Sequence, residues 1–199
     1  MLERRNEAAR RAKRADGAET NELRLLALVE QGDKHAFAQL YRAYFPRLAR
    51  FLDRMTRNPG LIEEIINDTL LVVWQKADTF NHSSRVSTWI FAIAYRKALK
   101  GIRALDEPVE AEAEESMGAA ELEPDIALSM QQLQYNVAQA LDALPHVQRT
   151  VVNLVYYHGM GYEEIAAIMD CPVNTVKTRM FTARTRLRDL LADQMEYSQ

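Results

Sequence analysis

Between Gly161 and Arg188 the chain reads Gly-Tyr-Glu-Glu-Ile-Ala-Ala-Ile-Met-Asp-Cys-Pro-Val-Asn-Thr-Val-Lys-Thr-Arg-Met-Phe-Thr-Ala-Arg-Thr-Arg-Leu-Arg. Two helical periods flank a short turn. Ile165, Ile168 and Met169 share one face of the first, and Val176, Met180, Ala183 and Leu187 form a narrow stripe on the second. The two stripes pack on each other, which fixes a pair of short, angled helices. The second helix carries Lys177, Arg179, Arg184, Arg186 and Arg188, and no Asp or Glu stands between Cys171 and Arg188. On a helical wheel Lys177, Arg184 and Arg188 flank the stripe on one side, Arg179 and Arg186 on the other. Thr178, Phe181, Thr182 and Thr185 lie between these cationic rails. This is the pattern of a helix-turn-helix. Its cations suit phosphates on both groove walls, and the hydroxyls and the aromatic ring between them suit base edges.

The rest of the chain points to an all-α protein. Seven glycines and six prolines in 199 residues leave little punctuation. No period-two alternation bounded by turn residues marks a strand. No apolar run reaches the length of a membrane span, so no membrane insertion is expected, and the first residues lack the apolar core of a secretory signal. The single cysteine, Cys171, excludes an internal disulfide framework and suits a reducing cytoplasm. We read it as a buried structural thiol. The net charge of −3 hides a strong asymmetry. Residues 21–103 carry more Lys and Arg than Asp and Glu, whereas residues 104–148 carry acids and no Lys or Arg at all.

Charge and periodicity divide the chain. Residues 1–20 hold six basic and four acidic residues and few large apolar ones, the composition of a disordered tail. Residues 21–103 read as a first helical domain. Asn21 is expected to cap its first helix, and Gly32-Asp33 breaks and recaps the chain. A long periodic segment from Phe37 to Met55 contains Pro46, expected to kink or divide it. Asn58-Pro59-Gly60 reads as a turn. A helix over Leu61–Ala77 follows, with core stripe Ile62, Ile65, Ile66, Thr69 and Val73. After a polar loop, a last helix over Val86–Ile102 ends in a basic run. Residues 104–124 read as a flexible acidic linker. Residues 125–193 read as a second helical domain containing the helix-turn-helix, with Pro145 opening its second helix, and 194–199 as a tail.

Three passages, in this order and spacing, resemble the compact extracytoplasmic-function (ECF) branch of the bacterial sigma-seventy family. They are Asp33-Lys-His-Ala-Phe-Ala-Gln-Leu-Tyr-Arg-Ala-Tyr44; Ile62-Glu-Glu-Ile-Ile-Asn-Asp-Thr-Leu-Leu-Val-Val-Trp74 with Phe80 and Ser87-Thr-Trp-Ile-Phe-Ala-Ile-Ala94; and Leu141-Asp-Ala-Leu-Pro145 leading into the helix-turn-helix. The resemblance covers about residues 22–193. It implies a sigma region 2 over 21–103 and a sigma region 4 over 125–193. It implies a subunit that joins core RNA polymerase and directs initiation at promoters, reading duplex DNA at the −35 element and single-stranded DNA at the −10 element. It also implies an anti-sigma factor as controlling partner.

Carried onto matching positions, the resemblance implies polymerase docking by Asn67, Asp68, Leu71 and Gln75. The wheel places these opposite the core stripe. For the −10 element it implies Phe80, Asn81, His82, Ser83 and Ser84, which offer a stacking ring and short hydrogen-bonding groups to an unstacked base. Arg96, Lys97, Lys100 and Arg103 would neutralise phosphates there. Trp89 reads as core. For the −35 element it implies Asn174, Thr175, Lys177, Thr178, Arg179, Phe181, Thr182, Arg184 and Arg188. Arg96 and Lys100 depart from the family's frequent Asn and acid, which makes that face more cationic. Asn174 and Thr182 depart from a frequent Gly and a frequent basic residue.

No catalytic chemistry is legible. His35, His82, His146 and His158 are scattered and form no spaced metal cluster with Cys171. There is no phosphate-binding glycine loop and no nucleophile–base pair, so no enzyme activity, metal or other cofactor is expected. Two other readings fit parts of the pattern. A dimeric helix-turn-helix regulator leaves the Leu61–Arg103 block unexplained. A sigma-mimic interaction module that never binds DNA leaves the basic rails unexplained.

Overall fold

The computed structural model describes residues 17–106 and 126–196. Of the tail expected over 1–20, residues 1–16 lie outside them and 17–20 are helical instead; of the linker expected over 104–124, residues 107–124 lie outside and 104–106 end a helix; of the tail expected over 194–199, only 197–199 lie outside. Among the described residues every regular element is helical. Helix α1 spans 17–30. It is followed by α2 (Lys34–Asp53), α3 (Pro59–Gln75), a single 3-10 turn (Ala77–Thr79), α4 (Val86–Asp106), α5 (Ile126–Asp142), α6 (His146–Tyr156), α7 (Tyr162–Met169) and α8 (Val173–Glu196).

Local chemistry sets most of these boundaries. Gly32 takes φ 84°, which ends α1 without a Cβ penalty. The Asp33 carboxylate then accepts from the amides of His35 (2.7 Å) and Ala36 (3.1 Å), capping α2. Asn21 does not cap; it lies inside α1, which begins at 17. The segment 58–60 is a helix start rather than a turn. The Asn58 side chain accepts from the Leu61 amide at 3.0 Å, and Pro59 occupies the first position, where a missing N–H costs nothing. Pro46 does not divide α2, which runs unbroken through it. The residue sits on an exposed face, where water can serve a freed carbonyl. Pro145 precedes α6 as its cap residue.

Helices α1 to α4 bury Leu26, Leu40, Leu48, Phe51, Leu52, Ile66, Leu70, Val73, Val86 and Ile90. Helices α5 to α8 bury Leu144, Val151, Leu154, Ile165, Ile168, Val176, Met180 and Ala183. The two sets form one continuous core, an arrangement that two modules on a flexible tether do not lead one to expect. Helix α4 is the common element. It packs on α3 with one face and on α7 with the other. Every residue from Ile90 to Tyr95 is therefore buried.

Polar contacts close the seam. The Asn153 amide of α6 donates to the Phe51 carbonyl at 3.2 Å, in a buried position. That carbonyl lies in the last turn of α2, where a helix leaves acceptors without an internal donor; the second module thus caps a helix of the first. Glu164 holds the start of α7 by accepting from the Gly161 amide (2.9 Å) and also accepts from the Thr88 hydroxyl of α4 (3.2 Å). Arg57 pairs with Asp142 at 2.7 Å, and the Arg54 guanidinium lies 4.9 Å from the Tyr157 ring centroid. Asn153→Ala is expected to lower unfolding free energy by ~1–3 kcal/mol, because it strands a buried carbonyl. Urea denaturation followed by circular dichroism checks this.

Candidate nucleic-acid and polymerase interfaces

The helix-turn-helix is built by α7 and α8. The turn needs a left-handed residue, and Asp170 supplies it at φ 50°, a conformation in which Asp is less disfavoured than most residues. Val176, Met180 and Ala183 are buried against Ile165, Ile168 and Met169, and Leu187 is partly buried beside them. The expected stripe is therefore the packing stripe. Lys177, Thr178, Phe181, Arg184 and Arg188 are exposed, and Phe181 keeps 73% of its surface. Thr175 and Thr182 are half-buried and Asn174 is exposed in the first turn.

Two details change the wheel reading. Arg179 is not a free rail cation. It is half-buried and directs its guanidinium to Cys171 Sγ at 3.5 Å, back into the turn. Cys171 itself is half-buried rather than fully enclosed. Second, the hydroxyls of Thr178, Thr182 and Thr185 donate to the carbonyls of Asn174, Thr178 and Phe181 one turn earlier. Their protons are used within the helix, and they offer methyl groups and oxygen acceptors outward. Among the described residues, Lys177 and Arg184 have no carboxylate partner. Arg188 pairs only with its neighbour Asp189.

The second surface surrounds the start of α4. Asn81, His82 and Ser83 are exposed and Ser84 is half-buried. The Asn81 carboxamide oxygen accepts from the Ser83 amide (3.1 Å) and hydroxyl (2.6 Å), so part of its hydrogen-bonding capacity shapes the loop. His82 sits at φ 57°, an uncommon backbone state that presents its ring edge-on to Phe80 at 4.9 Å.

The expected stacking ring is misplaced. Phe80 is 6% exposed and packs beneath Trp89 with centroids 5.5 Å apart. Trp89, read from the sequence as core, is only half-buried and lines an open cleft of about 330 Å³ with Lys76, Thr79, Ile93, Arg96 and Lys97. Aromatic character alone did not distinguish the two rings; depth in the fold did. Lys76 of this cleft lies outside the α4 segment in which the sequence clusters its cations. Arg96, Lys100 and Arg103 project from α4 into solvent, whereas Lys97 is half-buried and pairs with Asp68 at 2.8 Å.

The third surface is the outer face of α3. Asn67, Asp68, Leu71 and Gln75 are all exposed there. Leu71 keeps 49% of its surface, an apolar side chain among polar ones. Asn67 accepts from the Tyr41 hydroxyl at 3.0 Å. The Asp68–Lys97 pair joins this face to the α4 surface.

Comparison with known proteins fits this arrangement. The Sigma-70 region 2 family matches residues 40–107, and the Sigma-70, region 4 family matches residues 135–187. The ECF RNA polymerase sigma factor RpoE of Cereibacter sphaeroides is 33% identical over 165 residues, covering 81% of this chain and 90% of that protein. The chain belongs to the ECF sigma factors of RNA polymerase. The Escherichia coli ECF sigma-E factor is 31% identical over 170 residues, covering 80% of this sigma factor and 88% of its relative. Among solved structures, Bartonella quintana sigma factor RpoE, crystallised with the anti-sigma factor NepR, superposes with a TM-score of 0.60. Its identity is 28%, with coverage of 78% and 96% of the two chains. CnrH, solved with the cytosolic domain of CnrY, shares the fold at a TM-score of 0.64 and 22% identity, with coverage of 87% and 98%. No helix among the described residues of this sigma factor is long and apolar enough to cross a membrane, and none of their His, Cys, Asp and Glu side chains form a group able to hold a metal ion.

The different orientations of the α8 cations generate a prediction. Arg184→Ala is expected to reduce the salt dependence of duplex DNA binding by about one unit of slope, the signature of one lost phosphate contact. Arg179→Ala is expected to leave the slope unchanged, since its guanidinium already serves Cys171. Titrations at several salt concentrations compare the two.

Proposed function

We propose that α8 reads the −35 element as duplex while the Asn81–Ser84 loop, the Trp89 cleft and the cations of α4 hold the −10 element as single strand. The observation that carries this reading is the presence of two separate cationic surfaces on one chain. One is a helix that fits a major groove, and the other is a loop and cleft too irregular for one. A dimeric helix-turn-helix regulator needs only the first. Residues 21–103 then serve as the docking and −10 domain, and residues 125–193 as the −35 domain.

On α8, Lys177, Arg184 and Arg188 contact phosphates, and Asn174 adds a polar group at the helix start. Thr178, Thr182 and Phe181 meet base edges, where the outward threonine methyls suit thymine methyl groups. Thr175 supports this surface from a half-buried position. At the second surface Asn81, His82, Ser83 and Ser84 hydrogen-bond an unstacked base, and Trp89 rather than Phe80 supplies the stacking face. Arg96, Lys100, Arg103 and Lys76 neutralise the strand. Lys97 joins them only when released from Asp68. The polymerase supplies the catalysis; this subunit supplies recognition and strand separation, and works in the cytoplasm. An anti-sigma factor is its controlling partner; the Bartonella relative was crystallised in complex with one. Run-off transcription with purified core polymerase on a cognate promoter tests the whole reading. Activity as a free dimer, without polymerase, would overturn it.

Two narrower outcomes follow. Leu71→Asp is expected to abolish co-purification with core polymerase while leaving the far-ultraviolet circular dichroism spectrum unchanged, because the side chain supports no core. Replacing Asn81, His82 and Ser83 together by alanine is expected to preserve closed complexes and reduce open ones. Permanganate reactivity of unpaired thymines near the start site reports the difference.

A further inference from the structure

His158 lies in the turn between α6 and α7, ahead of Gly159, whose φ of 64° reverses the chain. Its imidazole enters the seam between the two modules. There it meets Phe91 of α4 (centroids 4.9 Å, interplanar 64°) and Phe51 of α2 (6.0 Å, 87°). The backbone carbonyl of the same Phe51 is the one held by Asn153. The Nε2 of His158 is buried and has no hydrogen-bond partner among the described residues.

The charges around this ring come from every neighbouring element. Helix α2 brings Arg47 and Arg50. A polar cleft of about 270 Å³ beside the ring is lined by Glu19 and Glu22 of α1, Arg47 of α2, Arg85 ahead of α4 and Glu164 of α7. The three carboxylates are already engaged: Glu22 with Arg47 at 3.0 Å, Glu19 with Arg85 at 2.9 Å, and Glu164 with Thr88, Gly161 and Arg85. A neutral imidazole suits this place. An imidazolium would lose water, face two guanidinium groups and find no free carboxylate among the described residues.

We propose that His158 makes the seam a proton-released latch, closed while the imidazole is neutral and opened when it is protonated. The closed seam holds its pKa down to about 4 from an ordinary 6.5, first through burial and then through Arg47 and Arg50. With the seam open the ring is hydrated and titrates near its ordinary value. The open form therefore binds the proton first, so the latch is fully effective above about pH 6.5 and weakens as pH falls toward 4. With these two values the closed-to-open ratio falls about tenfold between about pH 7.5 and 5.5.

The consequence for initiation rests on the sigma reading above. Tyr95 lies about 15 Å along α4 from Arg85, and Arg179 of α8 is near enough to bias its hydroxyl. The two DNA surfaces are thus close together in the closed form, whereas −10 and −35 elements are about 25 base pairs, or ~85 Å, apart along B-form DNA. A closed factor cannot span them, and acid would enlarge the fraction that can.

The test reads opening in the full-length chain without polymerase, so its failure would leave the sigma reading untouched. In a Cys171→Ser background, a reporter cysteine is placed by Ala92→Cys. Ala92 is 7% exposed on α4, opposite Ile90, on the side that α7 covers. Its alkylation rate is divided by that of a reference cysteine at the exposed position of Glu64→Cys, which cancels the pH dependence of thiol reactivity. The ratio is expected to rise about tenfold from pH 7.5 to 5.5 with His158 present, and to stay within about twofold in His158→Phe. Circular dichroism at both pH values confirms that each variant is folded. Should the phenylalanine variant not fold, His158→Asn serves as the second non-ionisable side chain. A ratio that does not change with pH in the chain bearing His158, or an equal rise in a folded non-ionisable variant, overturns the proposal.

Discussion

The structure depends on one helix serving two cores. Helix α4 packs on α3 through Val86, Ile90, Ala94 and Ala98, all fully buried. Its opposite side, with Thr88, Ala92 and Tyr95, is buried as well, by α7. A helix in a small bundle ordinarily keeps one face in water. Here the wet part is reduced to the strip that carries Arg96, Lys100 and Arg103. Between Ile90 and Arg103 these are the exposed residues of the helix, the others being buried or half-buried. The placement of the proposed DNA surface is thus a consequence of packing as much as of charge.

The sequence made the cores legible and the seam illegible. The stripe Val176, Met180 and Ala183 follows helical spacing and proved to be the packing face, and Asp33 caps α2 as its position after Gly32 implies. Both rest on local rules. Three readings need amendment once the fold is known. Pro46 has the chemistry of a helix breaker, yet its exposed side of α2 lets the helix continue. Asn58-Pro59-Gly60 has turn composition, but a capping Asn followed by Pro is equally a helix start. Phe80 is buried and Trp89 half-buried because depth, not ring type, decides which aromatic faces solvent. A signal for the seam was nevertheless present. Trp89-Ile-Phe-Ala-Ile-Ala-Tyr95 has no polar residue in nearly two turns, the composition of a helix enclosed on all sides.

The candidate DNA residues divide in the same way. Exposure follows from the wheel, so Lys177, Thr178, Phe181 and Arg184 were found correctly on the outer face. Side-chain partners do not follow from it. Arg179 turns toward Cys171 and Lys97 toward Asp68. Arg179 turns back to the turn before its own helix, and Lys97 to a carboxylate on α3 that sequence spacing does not reveal as a neighbour.

The cap that Asn153 gives to α2 has a consequence for how the protein can be taken apart. A fragment ending after α4 would keep its own helices but lose the donor to the Phe51 carbonyl and uncover Ala92, Tyr95 and the ring of Phe91. Such a fragment would begin life with an apolar strip and a frayed helix end, and would tend to associate with itself. The complementary fragment would lose Thr88 and Arg85 as partners of Glu164, and Phe51 and Phe91 as neighbours of the His158 ring. The boundary between the modules is therefore a place where the chain is easily cut on paper and poorly cut in practice. Behaviour measured on either half alone would describe a surface that the whole protein keeps hidden.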